Sequence, residues 1–186
     1  MTAAPCPGAG RALDLLVRAG AQDLPHPGGT LLAHLRRVEE RLASWGARPA
    51  LRLAGLCHAV YGTDGFPTAL LSPRRRPELV AAVGAEAESV VYLYGACDRK
   101  ATYPHLDRAG TVFHDRFTGR AGAPGPALCR DFAELSAANE LDLAHEDPAF
   151  RTAAGPQLLA FFTGIRHLLS PAAWQDCRTV LAPPAA

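Results

Sequence analysis

Apolar residues recur at helical spacing along most of the chain, separated by clusters of glycine and proline. The clearest case is a segment over 31–42, whose regularly spaced apolar positions are Leu31, Leu35, Val38 and Leu42. Thr30 is a suitable N-cap for this helix, and Gly46 is a suitable end. The same spacing predicts further helices over 10–19, 50–61, 78–83, 86–96, 127–145, 158–169 and 172–181.

Two of these predicted helices have unusual patterns. The helix over 50–61 is apolar on almost every side, which is typical of a buried helix, so we expect His58 near its end to lie inside the protein. The run over 90–94 has strand propensity, but its flanks are helical, and we predict helix throughout 86–96.

Residues 100–118 are the least helical part of the chain. Within them, residues 111–117 alternate between apolar and polar like a short strand and are suited to one half of a hairpin. We therefore predict an all-α fold, a single helical domain over 1–186 with its core in 28–170 and at most one short β-hairpin around 100–118. We expect frayed ends of about eight and about five residues at the two termini.

Composition and charge narrow the possible functions. The length of 186 residues suits one domain, and a net charge of +1 at pH 7 argues against nucleic acid as the main partner. No apolar run approaches the ~20 residues needed to cross a bilayer, and the N-terminal segment lacks the basic region of a signal peptide. The five cysteines are scattered without a C-x-x-C pair, so we expect reduced thiols and a cytoplasmic protein.

Two histidines in apolar helices are the main chemical signal. His34 lies on the flank of the apolar stripe over 31–42, and His58 lies in the almost wholly apolar helix that follows. A buried imidazole needs partners for its two nitrogens. One interpretation is that each ring donates to a backbone carbonyl and simply packs. The other is that the two rings converge from neighbouring helices as metal ligands.

Three segments resemble the first half of an HD domain. They are residues 34–38, 45–47 and 53–63, and the version they resemble most is that of the stringent-response (p)ppGpp hydrolases and their small relatives. In those proteins a His early in one helix and a His-Asp pair ending the next bind a divalent metal. His34 and His58 stand at the matching positions, 24 residues apart.

Later segments extend the resemblance. Residues 84–91 resemble the next helix of the family, and residues 135–142 resemble the late helix that carries its last metal-binding Asp. Residues 58–63 are also similar to an uncharacterised HD-like group with His-Ser-Val-Tyr-Gly-Thr at this place. The resemblance covers about residues 28–146. It implies an HD-domain-like helical bundle with a divalent metal, Fe, Mn or Zn.

The chain departs from the family pattern at its acidic positions. Ala59 replaces the Asp of the His-Asp pair, and Gly62 and Thr63 replace the acidic pair that positions the hydrolytic water in the (p)ppGpp enzymes. The last metal-binding Asp of the family is also replaced. The chain therefore lacks the acidic residues of the family at three places: the His-Asp pair, the water-positioning pair and the late helix.

The resemblance leaves the third metal ligand open. Asn139 aligns with the last Asp of the family, and Asp142 lies about one helical turn further on the same face. The implied ligands are His34 and His58 with either Asn139 or Asp142. Asp64, in the glycine-flanked turn, is a weaker substitute.

A related HD branch, the mixed-valent di-iron oxygenases, has two more histidines between the His-Asp pair and the final Asp. His105 and His114 lie in that interval. One is in a predicted loop and the other in the predicted hairpin, and the Asp that would bridge two irons is missing at Ala59. The one-metal interpretation is therefore preferred.

The remaining polar residues supply candidates for catalysis and substrate binding. An Arg at the mouth of a helical cavity can hold a carboxylate or phosphate through two parallel hydrogen bonds, although a surface ion pair is an alternative role. We predict Tyr61, Asp98 and Arg99 as catalytic residues and Arg99, His114 and Arg116 as substrate-binding residues.

Two functions from different classes are compatible with these residues. The first is an HD-like metal-dependent enzyme that acts on a small anionic substrate, either as a phosphohydrolase by analogy or with altered chemistry such as that of a lyase or oxygenase. The second is a catalytically degenerate HD-like domain that binds a small molecule or a partner protein. The sequence indicates neither nucleic acid nor membrane as a partner, and no oligomeric state.

Overall fold

Helices account for most of the residues that the computed structural model describes, which are 6–108 and 110–182. They are α1 (Ala9–Arg18), α2 (Leu31–Ser44), α3 (Pro49–Cys57), α4 (Arg76–Val83), α5 (Ala85–Ala96), α6 (Arg99–Thr102), α7 (Pro126–Glu146), α8 (Pro148–Gly164) and α9 (Pro171–Leu181). Short 3-10 turns cover Pro73–Arg75, Tyr103–His105 and Arg166–Leu168. The predicted all-α class is confirmed.

Side-chain caps fix several helix starts. The Thr30 hydroxyl accepts from the backbone N–H of Ala33 at 3.2 Å, as expected for the N-cap of α2. Asp147 begins α8 in the same way, because its Oδ1 accepts from the N–H groups of Ala149 and Phe150. Helix α8 therefore starts at Pro148, well before the predicted 158.

Two short antiparallel hairpins accompany the helices in the described part of the chain. Strand β1 (Pro25–His26) pairs with β2 (Gly29–Thr30), with His26 opposite Gly29. Strand β3 (Phe113–His114) pairs with β4 (Ala121–Gly122). The second hairpin lies where a strand was predicted, whereas the first was not predicted from the sequence.

Helix α7 lies at the centre of the bundle and packs against α2, α3, α5, α8 and α9. Most of its residues are buried. The residues of α2 that were predicted to face inward are all fully buried, and α2 packs against α3 and α7. They are Leu31, Leu35, Val38 and Leu42. At Gly55 of α3 a Cβ would come within 2.5 Å of Leu42, so α2 and α3 approach each other at this glycine.

The two termini were expected to fray. Residues 1–5 and 183–186 lie outside the described residues. The first described residue, Cys6, is buried, and its Sγ lies 3.5 Å from the carbonyl oxygen of Pro49. Among the described residues, none of the helices combines the length and the apolar character that a membrane span requires.

Candidate functional site

The structure brings the two predicted histidines together between α2 and α3. The Nε2 atoms of His34 and His58 are 3.3 Å apart, and the two rings are nearly perpendicular. His34 is held on α2, and His58 caps the C-terminus of α3 rather than continuing the helix. Both side chains are about 1% exposed.

Asn139 on α7 completes the cluster. Its Oδ1 lies 3.1 Å from the Nε2 of His34, while its Nδ2 donates to Oε1 of the neighbouring Glu140 at 3.2 Å. The bond to Glu140 orients the amide, so that the oxygen, and not the nitrogen, faces the imidazoles. Of the two residues left open for the third position, Asn139 lines the cavity with the histidines.

The second nitrogen of each imidazole is bound to a group that can only accept. His34 Nδ1 donates to Asp142 Oδ2 at 2.6 Å, and His58 Nδ1 donates to the carbonyl of Gly55 at 2.8 Å. Burial lowers the pKa of His58 to about 3, so this ring is neutral at pH 7 and its Nε2 carries a lone pair.

Asp142 supports His34 from behind and does not face the cavity. Its carboxylate also accepts two hydrogen bonds from Arg37, at 2.7 and 2.9 Å. Burial alone would raise the pKa of Asp142, but the hydrogen bonds from His34 and Arg37 outweigh burial and leave this pKa below its usual value. An ionised carboxylate behind a ligating histidine fixes the ring and its tautomer.

Three acceptor atoms therefore converge when His34 is neutral. His58 Nε2 and Asn139 Oδ1 both lie within 3.3 Å of His34 Nε2, all three residues line one cavity, and the Nδ1 protons are committed elsewhere. Lone pairs at 3.1–3.3 Å repel one another unless a cation lies between them or a proton on His34 Nε2 bridges them. Neighbouring ligands of an ion bound at about 2.0–2.1 Å are about 2.9–3.4 Å apart, which matches these distances.

The donor set fits one divalent ion. It consists of two imidazoles and one carboxamide, all neutral. Among the described residues, no three His, Cys, Asp or Glu side chains form a group that could hold a metal ion. The site thus lacks the carboxylate ligand common in such centres.

A cavity of about 370 Å³ opens from this cluster, at the small end of the range for ligand sites. Its lining includes apolar, aromatic, polar and charged residues, among them His26, Ala59, Thr63, Phe66, Arg99, Glu140, Asp147 and Phe150. A larger cleft of about 560 Å³ lies between α1 and α4. We favour the smaller cavity as the functional site because the buried imidazoles line it.

Arg99 is the predicted substrate-binding residue that reaches the cavity. Its Nη1 donates to Glu140 Oε1 at 3.0 Å, and its Nη2 donates to the hydroxyl of Tyr94 at 2.8 Å. Asp98 caps α6 through the N–H of Ala101. The Asp64 carboxylate accepts a hydrogen bond from the backbone N–H of Arg99, so Asp64 binds the start of α6.

The other predicted site residues lie elsewhere, and none is among the described residues that line the cavity. The Tyr61 hydroxyl donates to Glu88 at 3.0 Å. His114 is exposed on β3, and Arg116 donates from its Nε to the carbonyl of Gly95 at 2.7 Å. His105, raised with His114 for a di-iron site, is also exposed.

Sequence reasoning missed His26 and Glu140. His26 stacks on His34, with ring centroids 4.1 Å apart, and burial lowers its pKa to about 4. The only signal for it was a histidine between two prolines just before α2. Glu140 follows Asn139 directly, and its partner Arg99 is 41 residues away in the chain.

Comparison with known proteins gives one family match. Residues 15–99 match the family model of a domain of unknown function (DUF6817). Neither the curated proteins nor the solved structures gave a match.

The matched segment contains only part of the site. It includes His26, His34, His58 and Arg99, whereas Asn139 and the other α7 and α8 residues of the cavity lie beyond it. The cavity is therefore completed by the half of the chain that the family model does not reach.

Proposed function

We propose that the cavity is the one-metal site of an HD-like enzyme that acts on a small anionic substrate. The observation that carries this proposal is the convergence of two buried imidazole nitrogens and one amide oxygen, with both Nδ1 protons committed to other acceptors. The resemblance of residues 28–146 to HD domains supports the same site. His34, His58 and Asn139 would hold the ion, which is Fe, Mn or Zn.

The charges around the cavity support a cation at its centre. Of the lining residues, Arg99 carries a positive charge, and Glu140 and Asp147 each carry a negative one, so their formal sum is −1. An anionic substrate is repelled by that balance. A divalent ion reverses it to +1, and a bound ion of this kind polarises a phosphoryl or carbonyl oxygen or activates a water.

The protein's own residues bind and orient the substrate in this proposal. Arg99 has five N–H donors, and its contacts with Glu140 and Tyr94 leave others for an anionic group. Asp142 keeps the Nε2 of His34 directed at the cavity. The volume of about 370 Å³ favours a small substrate.

The absence of these acidic residues limits the reactions that the site can catalyse. Ala59 and Thr63 line the cavity at the places where the (p)ppGpp hydrolases have acidic residues. The reaction is therefore a phosphohydrolase-like one without those acids, or an altered chemistry such as that of a lyase or oxygenase. The unpaired thiols of all five cysteines support a reducing, cytoplasmic setting for it.

The replacement of two carboxylates by Ala59 and Asn139 favours one alternative function, a binding domain without catalytic activity. A domain with Ala59 and Asn139 in place of two carboxylates has lost the charge that holds a cation most firmly. In this alternative the cavity binds a small molecule or a partner segment and catalyses nothing.

Metal analysis separates the two proposals. The protein is purified without chelator, and its Fe, Mn and Zn content is measured by mass spectrometry beside that of His58→Ala and the exposed control His105→Ala. The enzyme proposal requires about one ion per chain in the wild type and control and a loss of that ion in His58→Ala. A metal-free wild type whose unfolding is unchanged by EDTA supports the binding domain instead.

A further inference from the structure

The β1–β2 hairpin places a third imidazole over the cavity. His26 is half-buried, lines the cavity, and stacks on His34 with an angle of 24° between the ring planes. Phe66 makes an edge-to-face contact with it, with ring centroids 5.6 Å apart. The position of His26 is therefore set by two aromatic contacts.

The hairpin that carries His26 is fastened to the rest of the site. Arg37 donates to the carbonyl oxygens of Gly28 and Pro27 at 3.2 and 3.0 Å. The same guanidinium binds Asp142, which in turn holds His34. The hydrogen bonds of Arg37 thus hold the hairpin, and with it the ring of His26, beside the proposed metal ligands.

One polar atom of this ring has no partner in the described structure. His26 Nδ1 is buried and has no hydrogen-bond partner of good geometry among the described residues, although the backbone of Pro27 lies near enough to the ring to act on its pKa. Buried polar atoms in folded proteins are nearly always paired, so an unpaired one beside a cavity indicates a missing ligand group. Stacking on His34 covers one face of the ring, and an imidazole makes its hydrogen bonds at its edge.

The stacked geometry argues against His26 as a fourth metal ligand. The lone pairs of an imidazole lie in the plane of its ring. Because the ring of His26 is nearly parallel to that of His34, with centroids 4.1 Å apart, the in-plane lone pairs of the two rings do not converge on one point. A group held at the His34–His58–Asn139 site would lie in the same cavity that His26 lines.

We propose that His26 is a substrate-binding residue whose imidazole edge hydrogen-bonds an oxyanion, phosphate or carboxylate in class, held at the His34–His58–Asn139 site. This inference rests on the proposed function, since the site holds the oxyanion. His26 and Arg99 then bind the anion from two different elements, the hairpin and α6.

The test uses Zn²⁺ and inorganic phosphate as probes of the full-length protein. Calorimetric titrations give the Zn²⁺ affinity of the chelated protein and the phosphate affinity of the Zn²⁺-loaded protein. His26→Phe keeps a ring for stacking and removes both nitrogens, and His26→Asn restores an amide N–H near the Nδ1 position. Thermal unfolding of each variant verifies the fold.

We expect Zn²⁺ affinity within about threefold of wild type in both variants. We expect phosphate affinity to fall about tenfold in His26→Phe, the effect of one lost hydrogen bond, and to recover largely in His26→Asn. Equal phosphate affinity in wild type and His26→Phe overturns the inference, because His26 then only packs. A large loss of Zn²⁺ affinity in His26→Phe also overturns it, because His26 is then a metal ligand.

A second measurement separates this inference from the proposed function. If the wild type takes up none of Zn²⁺, Mn²⁺ and Fe²⁺, the one-metal proposal fails. The His26 contact is then read from the ¹⁵N resonances of its imidazole while phosphate is added to the metal-free protein. Movement of the Nδ1 resonance on phosphate addition supports the contact, and an unchanged resonance overturns it.

Discussion

At the residue scale, two neutral side chains set the character of the site. Ala59 and Asn139 both line the cavity, at positions where the resemblance to HD domains implies carboxylates. An ion held only by neutral donors keeps its full charge, which favours polarisation of a substrate. The same donors bind the ion less firmly than carboxylates do, so affinity is the property that substitution changes most.

Replacement of Ala59 by Asp tests whether an ion occupies this cavity. We expect Ala59→Asp to raise divalent metal affinity about tenfold or more, because a carboxylate beside His58 adds charge and a ligand. Competition with a chromophoric chelator measures the affinity. The control is Ala85→Asp on the exposed start of α5. Unchanged affinity in Ala59→Asp contradicts a metal at this position.

Replacement of Asp142 by Asn tests the group behind His34. We expect Asp142→Asn to lower metal affinity about 10–100-fold, because the ring loses the carboxylate that fixes it. The matched control is Asp131→Asn, since Asp131 also pairs with an arginine, Arg48, through two hydrogen bonds but makes no contact with His34. We expect both variants to lose about 1–3 kcal/mol of unfolding free energy, measured in urea. Equal metal affinity in the two variants excludes the role given to Asp142.

At the element scale, local signals were sufficient for some elements and not for others. The Thr30 cap and the spacing of Leu31 and Leu35 predict α2, and the helical flanks of 90–94 predict α5, which the structure has as a helix throughout. The β1–β2 hairpin depends on Arg37, which binds its carbonyl oxygens from α2. Such a tertiary contact leaves no periodic pattern, so a single sequence shows only a glycine and proline cluster there.

Two helical glycines give opposite predictions for substitution by alanine. In α1, a Cβ at the exposed Gly10 meets nothing within 4 Å, so Gly10→Ala should stabilise the protein by about 0.5–1 kcal/mol. In α5, a Cβ at Gly95 lies 2.9 Å from the carbonyl oxygen of Gly62, in the turn after His58. We expect Gly95→Ala to destabilise by about 1–3 kcal/mol, as other overpacked sites do. Urea unfolding of both variants measures the difference, and stabilisation by Gly95→Ala contradicts the close approach of α5 to that turn.

At the scale of the whole molecule, the site is assembled from distant parts of the chain. His34 and Asn139 are 105 residues apart in sequence, and His26 joins them only through the fold. The resemblance to HD domains pointed to the residues on α2, α3 and α7. The resemblance gave no basis for predicting that His26 lines the cavity, because that depends on how the β1–β2 hairpin packs. Nor did it predict that Tyr61 binds Glu88 and stays outside the cavity, because that depends on how α5 packs.

The stability of the whole protein should depend on pH through the buried His58. The pKa of this ring is about 3 in the folded protein and ordinarily 6.5, so between those values the unfolded chain binds more protons than the folded one. The unfolding free energy of the chelated protein should therefore fall as the pH drops below 6.5, and His58 contributes about 2 kcal/mol to this fall at pH 5 relative to pH 7. His26, whose pKa is lowered to about 4, contributes in the same direction. Urea unfolding at the two pH values measures the change. His58→Leu should remove the His58 contribution of about 2 kcal/mol and leave that of His26, and the exposed control His105→Ala should keep both. A stability that does not change between pH 7 and 5 contradicts a neutral, fully buried His58.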